Sequence, residues 1–350
     1  MATRQGLDVK ERMAAVPAVA TTGQRAAVLQ LQGRALVANT GIPLDLDWVE
    51  GVRINTSAVE RRAATLVARR TVKKDWQVAW LLRAITCMDL TTLSGDDSDE
   101  RVRRLCAKAM HPVSASVTAL LGIEELAVQV AAVCVYHHFV ATARRALEGT
   151  PVRVAAVSAG FPAGLNALEE RLAEIRRSVD AGADEIDVVI TRAHVFAGEW
   201  QRLYDEVAAF KAACGKAHCK VILGTGDLAT LRNVGRASVV AMMAGADFIK
   251  TSTGKEAVNA TLPVGVVMAR AIREYYQRTG MAVGFKPAGG IRTARQSLDW
   301  LALMKEELGH SWLGPQLFRI GASSVLGDIE RQLEFHGSGR YSASYHHPLV

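Results

Sequence analysis

Two lysines stand at the ends of short apolar segments, the position where a buried strand presents a side chain to solvent or to a ligand. Lys250 follows Phe248 and Ile249 within FIKTSTGK, and Lys286 closes VGFK within VGFKPAGG. Glycines come soon after both lysines and end the segments. A single strand-end lysine is most often a solvated surface charge. Two of them, on neighbouring parallel strands, predict a shared pocket.

Two ammonium groups in one pocket disfavour each other's charged form, so one of the pair can lose its proton near neutral pH. A neutral lysine is a nucleophile that attacks a carbonyl carbon. The pair therefore predicts imine chemistry, and the spacing alone does not say which lysine reacts.

Asp187 lies inside another apolar run, ADEIDVVITR, where its neighbours are Ile186 and Val188. A carboxylate in such a strand is costly to bury unless it is paired. One interpretation is a structural ion pair with a barrel lysine such as Lys220. The other is a proton relay beside the lysine pair.

Glycines and cations recur after three consecutive strand-like segments. They are Gly254 with Lys255, then Gly289 and Gly290 with Arg292, then Gly321 with Ser323 and Ser324 at the start of a helix. Backbone amides freed by glycines, a serine pair at a helix N-terminus and nearby cations are what a phosphate monoester needs. Each cluster alone could be a turn, but three in succession predict a phosphate site.

The elements that would position these residues alternate between short apolar runs and longer amphipathic ones. The predicted strands are Thr86 to Leu93, Ala131 to Tyr136, Val152 to Ser158, Glu185 to Thr191, Lys220 to Gly224, Phe248 to Thr251, Ala282 to Lys286 and Phe318 to Gly321. The predicted helices are Asp99 to Ala109, His138 to Glu148, Asn166 to Ala181, Trp200 to Ala213, Asp227 to Met243, Leu262 to Thr279, Thr293 to Leu308 and Val325 to Phe335. Eight such units predict an α/β fold, a (β/α)8 TIM barrel with the site at the carboxyl ends of its strands.

The chain before the barrel predicts a helical extension. Residues 1 to about 40 have no steady period and we expect a poorly ordered arm. Helical spacing follows in Pro43 to Val52, Ser57 to Arg70 and Trp76 to Ile85. The predicted division is residues 1–78 as the extension, residues 79–336 as the barrel and residues 337–350 as a flexible C-terminal tail.

The composition is that of a globular protein, with 49% hydrophobic and 22% charged residues. The net charge of +7 raises the question of nucleic-acid binding. Residues 1–75 hold twelve Lys and Arg against seven Asp and Glu, which is +5 of that charge. These basic residues recur at near-helical spacing, which favours a solvated helix face over a nucleic-acid interface.

The cysteines favour a reducing compartment. There are five, with no CxxC pair, so neither a disulfide framework nor a structural metal site is indicated. Cys214, His218 and Cys219 are the nearest approach to a metal cluster, and no matching ligand pair accompanies them. The run Met13 to Ala20 is too short to span a membrane. We therefore expect a cytoplasmic protein.

Several of these motifs together resemble the deoxyribose-phosphate aldolase family in its longer form with an N-terminal extension. They are MDLTTLSGDD, AAVCVY, GADEIDVVI, GADFIKTSTGK, VNAT, VGFKPAGGIRTA and RIGASS, and the likeness runs from about Val72 to Gln332. The resemblance implies reversible cleavage of 2-deoxy-D-ribose 5-phosphate to D-glyceraldehyde 3-phosphate and acetaldehyde, a step of deoxyribonucleotide catabolism. No metal or organic cofactor is implied. The implied partners are small phosphosugars and aldehydes, with a homo-oligomer as a further expectation.

The resemblance also implies roles for particular residues. Lys250 would form the Schiff base, Lys286 would lower its pKa, and Asp187 would take part in proton transfer. The substrate and its phosphate would be held by residues of the strand ends, namely Lys255, Gly254, Gly289, Gly290, Arg292, Gly321, Ser323, Ser324, Thr253, Cys134 and Lys220. Family members can have a mobile tail whose tyrosine assists proton transfer, and Tyr345 is the candidate here, with Tyr341 close by.

Two other functions stay open. A transaldolase or another lysine-dependent phosphosugar aldolase would share the imine and the phosphate site. A catalytically idle barrel could instead bind a partner through its basic N-terminal arm.

Overall fold

The computed structural model describes residues 29–31 and 34–348, and it confirms the predicted (β/α)8 barrel. The eight barrel strands are Met88–Thr91 (β3), Ala132–Tyr136 (β4), Arg153–Ser158 (β5), Glu185–Val189 (β6), His218–Ile222 (β7), Phe248–Lys250 (β8), Gly284–Lys286 (β10) and Ile320–Ala322 (β11). All neighbouring pairs are parallel. Helices cover the outside of the sheet, so the strands are buried on both faces and consist largely of apolar residues.

The sheet closes between its two end strands. Its order is β10-β8-β7-β6-β5-β4-β3-β11. Single parallel bridges join Phe285 to Phe318 and Ala288 to Gly321 across the gap between β10 and β11. Closure matters for the site because it brings the loops after β8, β10 and β11 together at one rim.

The helices follow the predicted order. They are Leu46–Gly51 (α1), Thr56–Arg69 (α2), Lys74–Thr86 (α3), Asp99–Met110 (α4), Ala115–Leu121 (α5), Val140–Ala146 (α6), Leu168–Asp180 (α7), Arg192–Ala197 (α8), Trp200–Cys214 (α9), Leu231–Met243 (α10), Leu262–Thr279 (α11), Ala294–Leu308 (α12) and Val325–Ser338 (α13). Two short helices, α5 and α8, were not predicted. Helix α10 begins four residues after the predicted Asp227, because Ala229 has a positive φ of 62° and the Thr230 side chain caps the helix.

The described start of the extension contains short strands. Residues 1–28 and 32–33, most of the expected arm, lie outside the described residues. Leu29–Leu31 (β1) and Arg34–Ala38 (β2) form an antiparallel pair in the segment for which poor order stays a prediction. Strand β2 also pairs in parallel with Met281–Ala282 (β9), a short strand just before β10. The predicted boundary at residue 78 falls inside α3, and the domain division stays a prediction.

The C-terminal tail folds back along the last helix. The ring of Tyr341 stacks on Phe335 with centroids 4.1 Å apart, and His347 Nε2 lies 2.8 Å from the carboxylate of Glu334. The backbone of His347 comes close to Gly327, so the tail returns towards the start of α13. Within residues 29–31 and 34–348, no helix is both long and apolar enough to cross a membrane.

Candidate active site

The two strand-end lysines are partners across β8 and β10. Lys250 and Lys286 stand opposite each other in the register of this parallel pair. Both side chains are almost fully buried. Adjacent parallel strands carry residues of the same register on the same face. The predicted shared pocket for the two lysines is therefore present.

Asp187 joins the two lysines. Its Oδ2 atom lies 2.7 Å from Nζ of Lys250 and 2.6 Å from Nζ of Lys286. A single carboxylate oxygen thus bridges both nitrogens. Burial alone would raise the pKa of Asp187, but the surrounding lysines outweigh it and hold that pKa well below its usual range.

A layer of charged side chains lies directly below this bridge. Lys220 is the β7 partner of Asp187 and sits two residues before Ile222, the partner of Lys250. Its ammonium is 3.0 Å from Asp89, 2.5 Å from Glu185 and 3.3 Å from Asp187. Asp187 thus contacts Lys220, as the ion-pair interpretation predicts, and it also contacts the lysine pair, where its part in a proton relay stays a prediction.

Arg319 completes the buried cluster from the closing strand segment. Its guanidinium lies 2.6 Å from Asp89 Oδ1 and 2.6 Å from Glu185 Oε1. The other oxygen of Asp89 is 2.5 Å from Lys286. The connected cluster contains Asp89, Glu185, Asp187, Lys220, Lys250, Lys286 and Arg319, all buried.

The charges of this cluster balance only if one cation is neutral. Four basic groups face three carboxylates, and an uncompensated charge in the interior is strongly unfavourable. Lys220 contacts three carboxylates, while Lys286 and Arg319 contact two each. Lys250 contacts only Asp187. Lys250 thus has the fewest carboxylate contacts of the four basic groups in the cluster.

The pKa values agree with this count. Burial, helped by the charge of Lys286, lowers the pKa of Lys250 against the attraction of Asp187. Burial also opposes the charge of Lys286, but Asp187 and Asp89 outweigh it and raise the pKa of Lys286. The pKa values of the two lysines are thus shifted in opposite directions. A lysine in its neutral form has a free lone pair for attack on a carbonyl.

Cys134 borders the same pocket. It is buried on β4, and its thiol interacts electrostatically with both Lys250 and Lys286. Burial raises the pKa of the thiol, so it stays protonated at neutral pH. Lys220, by contrast, lies one layer lower, with its ammonium among three carboxylates.

The three glycine-containing loops meet at one rim. A Cβ built on Gly254 would be 3.9 Å from the Cα of Gly289, and one on Gly289 would clash with Asn259. The Ser252 hydroxyl and the Ala288 carbonyl are 2.5 Å apart, which ties the loop after β8 to the loop after β10. Gly321 bridges to Ala288 and brings in the third loop. The predicted phosphate residues therefore share one surface.

Several groups on this surface are open to a ligand. Gly290, Arg292, Ser323 and Ser324 are exposed, and the two serines directly precede α13. Lys255 is exposed too, and its Nζ donates to the carbonyl of Leu93, 2.8 Å away, across the mouth of the barrel.

Glu256 already occupies part of the loop after β8. Its carboxylate accepts hydrogen bonds from the amides of Thr253 and Gly254 and from the Thr253 hydroxyl, at 2.7 to 3.1 Å. These donors were assigned to substrate by resemblance, and they hold an internal anion here. The contact demonstrates that this loop binds carboxylate oxygen.

Tyr345 lies apart from the lysines. It is on a short turn, Ser344–His346, with 78% of its surface exposed, and its ring contacts that of His346. The tail that carries it is fixed to α13 through His347. A catalytic part for Tyr345 would need the tail to leave this position, and it stays a prediction.

Sequence reasoning missed the lower half of the cluster. Glu185 precedes Asp187 by two residues and therefore shares its face of β6, a signal that was available. Arg319 precedes Gly321 by two, but its partner Glu185 is 134 residues away. Asp89 is part of the MDLTTLSGDD motif, but its contacts with Lys286 and Arg319 were not predicted.

Comparison with known proteins identifies relatives of this chain. Residues 83–322 match the family described as DeoC/LacD family aldolase. The deoxyribose-phosphate aldolase of Mus musculus is 58% identical over 311 residues, covering 88% of this chain and 98% of that protein. The Homo sapiens protein of the same name is 56% identical over 313 residues, covering 89% and 98%. These similarities confirm the resemblance predicted from the motifs.

The solved structures include a more distant relative with the same fold. The deoxyribose phosphate aldolase from Aeropyrum pernix, described as having a unique tetrameric structure, is 24% identical with a TM-score of 0.53. The match covers 80% of this chain and 99% of that one.

Proposed function

The chain belongs to the DeoC/LacD family of aldolases, and from that premise we propose that it cleaves 2-deoxy-D-ribose 5-phosphate reversibly through a Schiff base. The products are D-glyceraldehyde 3-phosphate and acetaldehyde. The observation that carries this proposal is the buried lysine pair bridged by Asp187, in which Lys250 is the cation without a full counter-charge. The two mammalian relatives named above bear the name of this activity.

Cleavage begins with attack of neutral Lys250 on the aldehyde carbon of the open-chain sugar. The nitrogen lone pair forms the C–N bond, the carbonyl oxygen takes up a proton, and loss of water leaves an iminium ion. Lys286 is charged beside it and can donate a proton to the departing oxygen, which leaves Lys286 neutral until it regains a proton from solvent; Asp187 lies between the two nitrogens.

The next step breaks the C2–C3 bond and converts the iminium ion to an enamine. A water hydrogen-bonded to Asp187 takes the proton of the C3 hydroxyl, the C2–C3 bond breaks, and its electron pair neutralises the iminium as an enamine. Because the cluster disfavours positive charge at Nζ of Lys250, it favours the enamine over the iminium. Protonation of the enamine at C2 and hydrolysis release acetaldehyde and restore the neutral lysine.

The direct test is cleavage of 2-deoxyribose 5-phosphate, assayed with EDTA present, followed by trapping with acetaldehyde and borohydride. We expect turnover and a two-carbon adduct on the peptide that contains Lys250. Trapping by a longer ketone donor but not by acetaldehyde would instead indicate a transaldolase. Absence of any adduct, together with salt-dependent binding of mixed-sequence nucleic acid, would favour the idle barrel.

The phosphate site gives a prediction about substrate choice. Ser324→Asp or Arg292→Glu puts a negative charge among the exposed groups of the rim, so we expect KM for 2-deoxyribose 5-phosphate to rise about tenfold or more. Cleavage of unphosphorylated 2-deoxyribose should change little. Steady-state kinetics on both sugars measure this.

A charge reversal elsewhere supplies the control. Arg176 is exposed on α7, away from the rim, so Arg176→Glu should leave both KM values unchanged. Equal losses on the two sugars in the rim variants would place the phosphate site elsewhere.

The tail gives a second prediction. Tyr345→Phe, or a chain ending at Gly339, should lower turnover about 10²-fold, the smaller end of what a positioned general acid contributes. Exchange of the methyl protons of acetaldehyde with solvent should slow in parallel, while trapping at Lys250 persists. NMR of acetaldehyde in D2O follows the exchange.

Tyr341→Phe is the matched variant for this experiment. Its ring stays stacked on Phe335, and only a hydroxyl contact with Gln332 at 3.4 Å is lost. Normal exchange in the chain ending at Gly339 would leave the tail without a catalytic part.

The surroundings of the enzyme are part of the proposal. A cytoplasmic location is supported by the five cysteines, which are all buried and free, as thiols are in reducing compartments. A homo-oligomer is supported by the tetrameric description of the Aeropyrum pernix relative. Sedimentation velocity, with and without DNA, tests the oligomer and the expected lack of nucleic-acid binding, and cell fractionation tests the location.

A further inference from the structure

Arg319 makes no contact with Lys250, yet it determines the charge balance that Lys250 experiences. Its guanidinium holds one oxygen of Asp89 and both oxygens of Glu185. It is fixed in place by a hydrogen bond from Nε to the carbonyl of Pro315 and by the ring of Phe248, 5.7 Å from its Cζ. The positive charge of Arg319 therefore partly neutralises two of the three carboxylates of the cluster, Asp89 and Glu185.

We propose that Arg319 is a positioning residue for the aldolase reaction. It keeps Lys250 neutral by pairing with carboxylates whose negative charge would otherwise hold a proton on Lys250. This inference rests on the proposed function. Without Arg319, three lysines would face three carboxylates, and the cluster would be balanced with Lys250 charged. Loss of one buried cation would thus be compensated by proton uptake at the nucleophile.

Other titratable groups near the cluster do not alter this count. They are Cys87, Cys134, Arg153 and His218. Burial raises the pKa of both thiols and lowers that of His218, so all three are neutral at pH 7. Arg153 contacts Glu185 at 3.2 Å, but its side chain is 42% exposed and solvent screens its charge.

Glu185 allows the proposal to be tested through charge balance. Arg319→Met together with Glu185→Gln removes one cation and one carboxylate, which leaves three lysines facing Asp89 and Asp187. The cluster then again balances only with one lysine neutral. If Arg319 acts through charge, the double variant should regain what Arg319→Met loses. If Arg319 acts only through packing, the second substitution should add to the damage.

The measurement is the initial rate of acetaldehyde trapping at Lys250 by cyanoborohydride as a function of pH, read by peptide mass. Arg319→Met should move the midpoint of this profile upward by about one pH unit or more, so that trapping at pH below the midpoint falls about tenfold or more. Arg319→Lys keeps the charge and should stay near the wild-type midpoint. The double variant should return towards it.

A purely structural role would lower the rate at every pH without moving the midpoint. That result in folded Arg319→Met, or a double variant with a midpoint no lower than that of Arg319→Met, overturns the proposal. Glu185→Gln tests the same idea with the opposite sign, because one carboxylate fewer should move the midpoint down; an unchanged or raised midpoint also overturns it. Failure of the wild type to trap acetaldehyde at Lys250 would instead count against the proposed function.

Discussion

Replacement of Lys250 by methionine should abolish both cleavage and borohydride trapping, with turnover reduced by about 10⁴-fold or more, a loss typical of a missing nucleophile. Methionine has nearly the volume of lysine and fits a buried position. The charge count explains why the fold should survive. In the proposed mechanism Lys250 is the neutral member, so its removal leaves three cations, Lys220, Lys286 and Arg319, facing three carboxylates. Thermal unfolding should therefore stay close to that of the wild type.

Lys216→Met is the matched control for this variant. Lys216 is exposed in the turn after α9 and takes no part in the cluster, so the control should trap acetaldehyde at Lys250 as the wild type does. Peptide mapping decides between the two lysines of the pair. A wild-type adduct found mainly on Lys286 would reverse the assignment, and Lys286 would then be the nucleophile.

The sequence was sufficient to predict the fold and to single out Lys250, Lys286 and Asp187, because these predictions depend on patterns along the chain. Lys250 and Lys286 each end an apolar run followed by glycines, and eight repeats of strand and helix require closure. Asp187 could be singled out because a carboxylate inside a buried strand needs a partner. Each of these three side chains can be recognised from one short segment of the sequence.

The part of the cluster formed by Arg319 and Glu185 depends on contacts between distant segments. Arg319 meets Glu185 only because β11 closes the barrel against β3 and β10, and neither register nor side-chain reach is encoded locally. The tail is similar. Its glycines and serines indicate flexibility, yet Tyr341 and His347 hold it against α13 through a ring stack and contacts with Glu334.

Replacement of Lys286 by leucine should cause Lys250 to take up a proton, which restores the positive charge that the substitution removes. Lys286 contributes to the lowered pKa of Lys250, after burial, and it contacts Asp89 and Asp187. Without it, Lys220, Lys250 and Arg319 face three carboxylates, and the cluster is balanced with Lys250 charged. We expect about a 10²-fold or greater loss of activity at pH 7, the scale of a shift of two pKa units.

The direction of this shift sets the pH dependence. A raised pKa of Lys250 means that its neutral fraction grows as pH rises, so the lost activity should partly return towards the unperturbed lysine value of about 10.4. Trapping of acetaldehyde at Lys250 should recover over the same pH range as cleavage, because both need the free amine. Recovery of trapping without recovery of cleavage would mean that Lys286 also supplies a proton during turnover. A flat profile, reduced equally at every pH, would contradict the charge argument, because it would show that Lys250 does not take up a proton when its charged neighbour is removed.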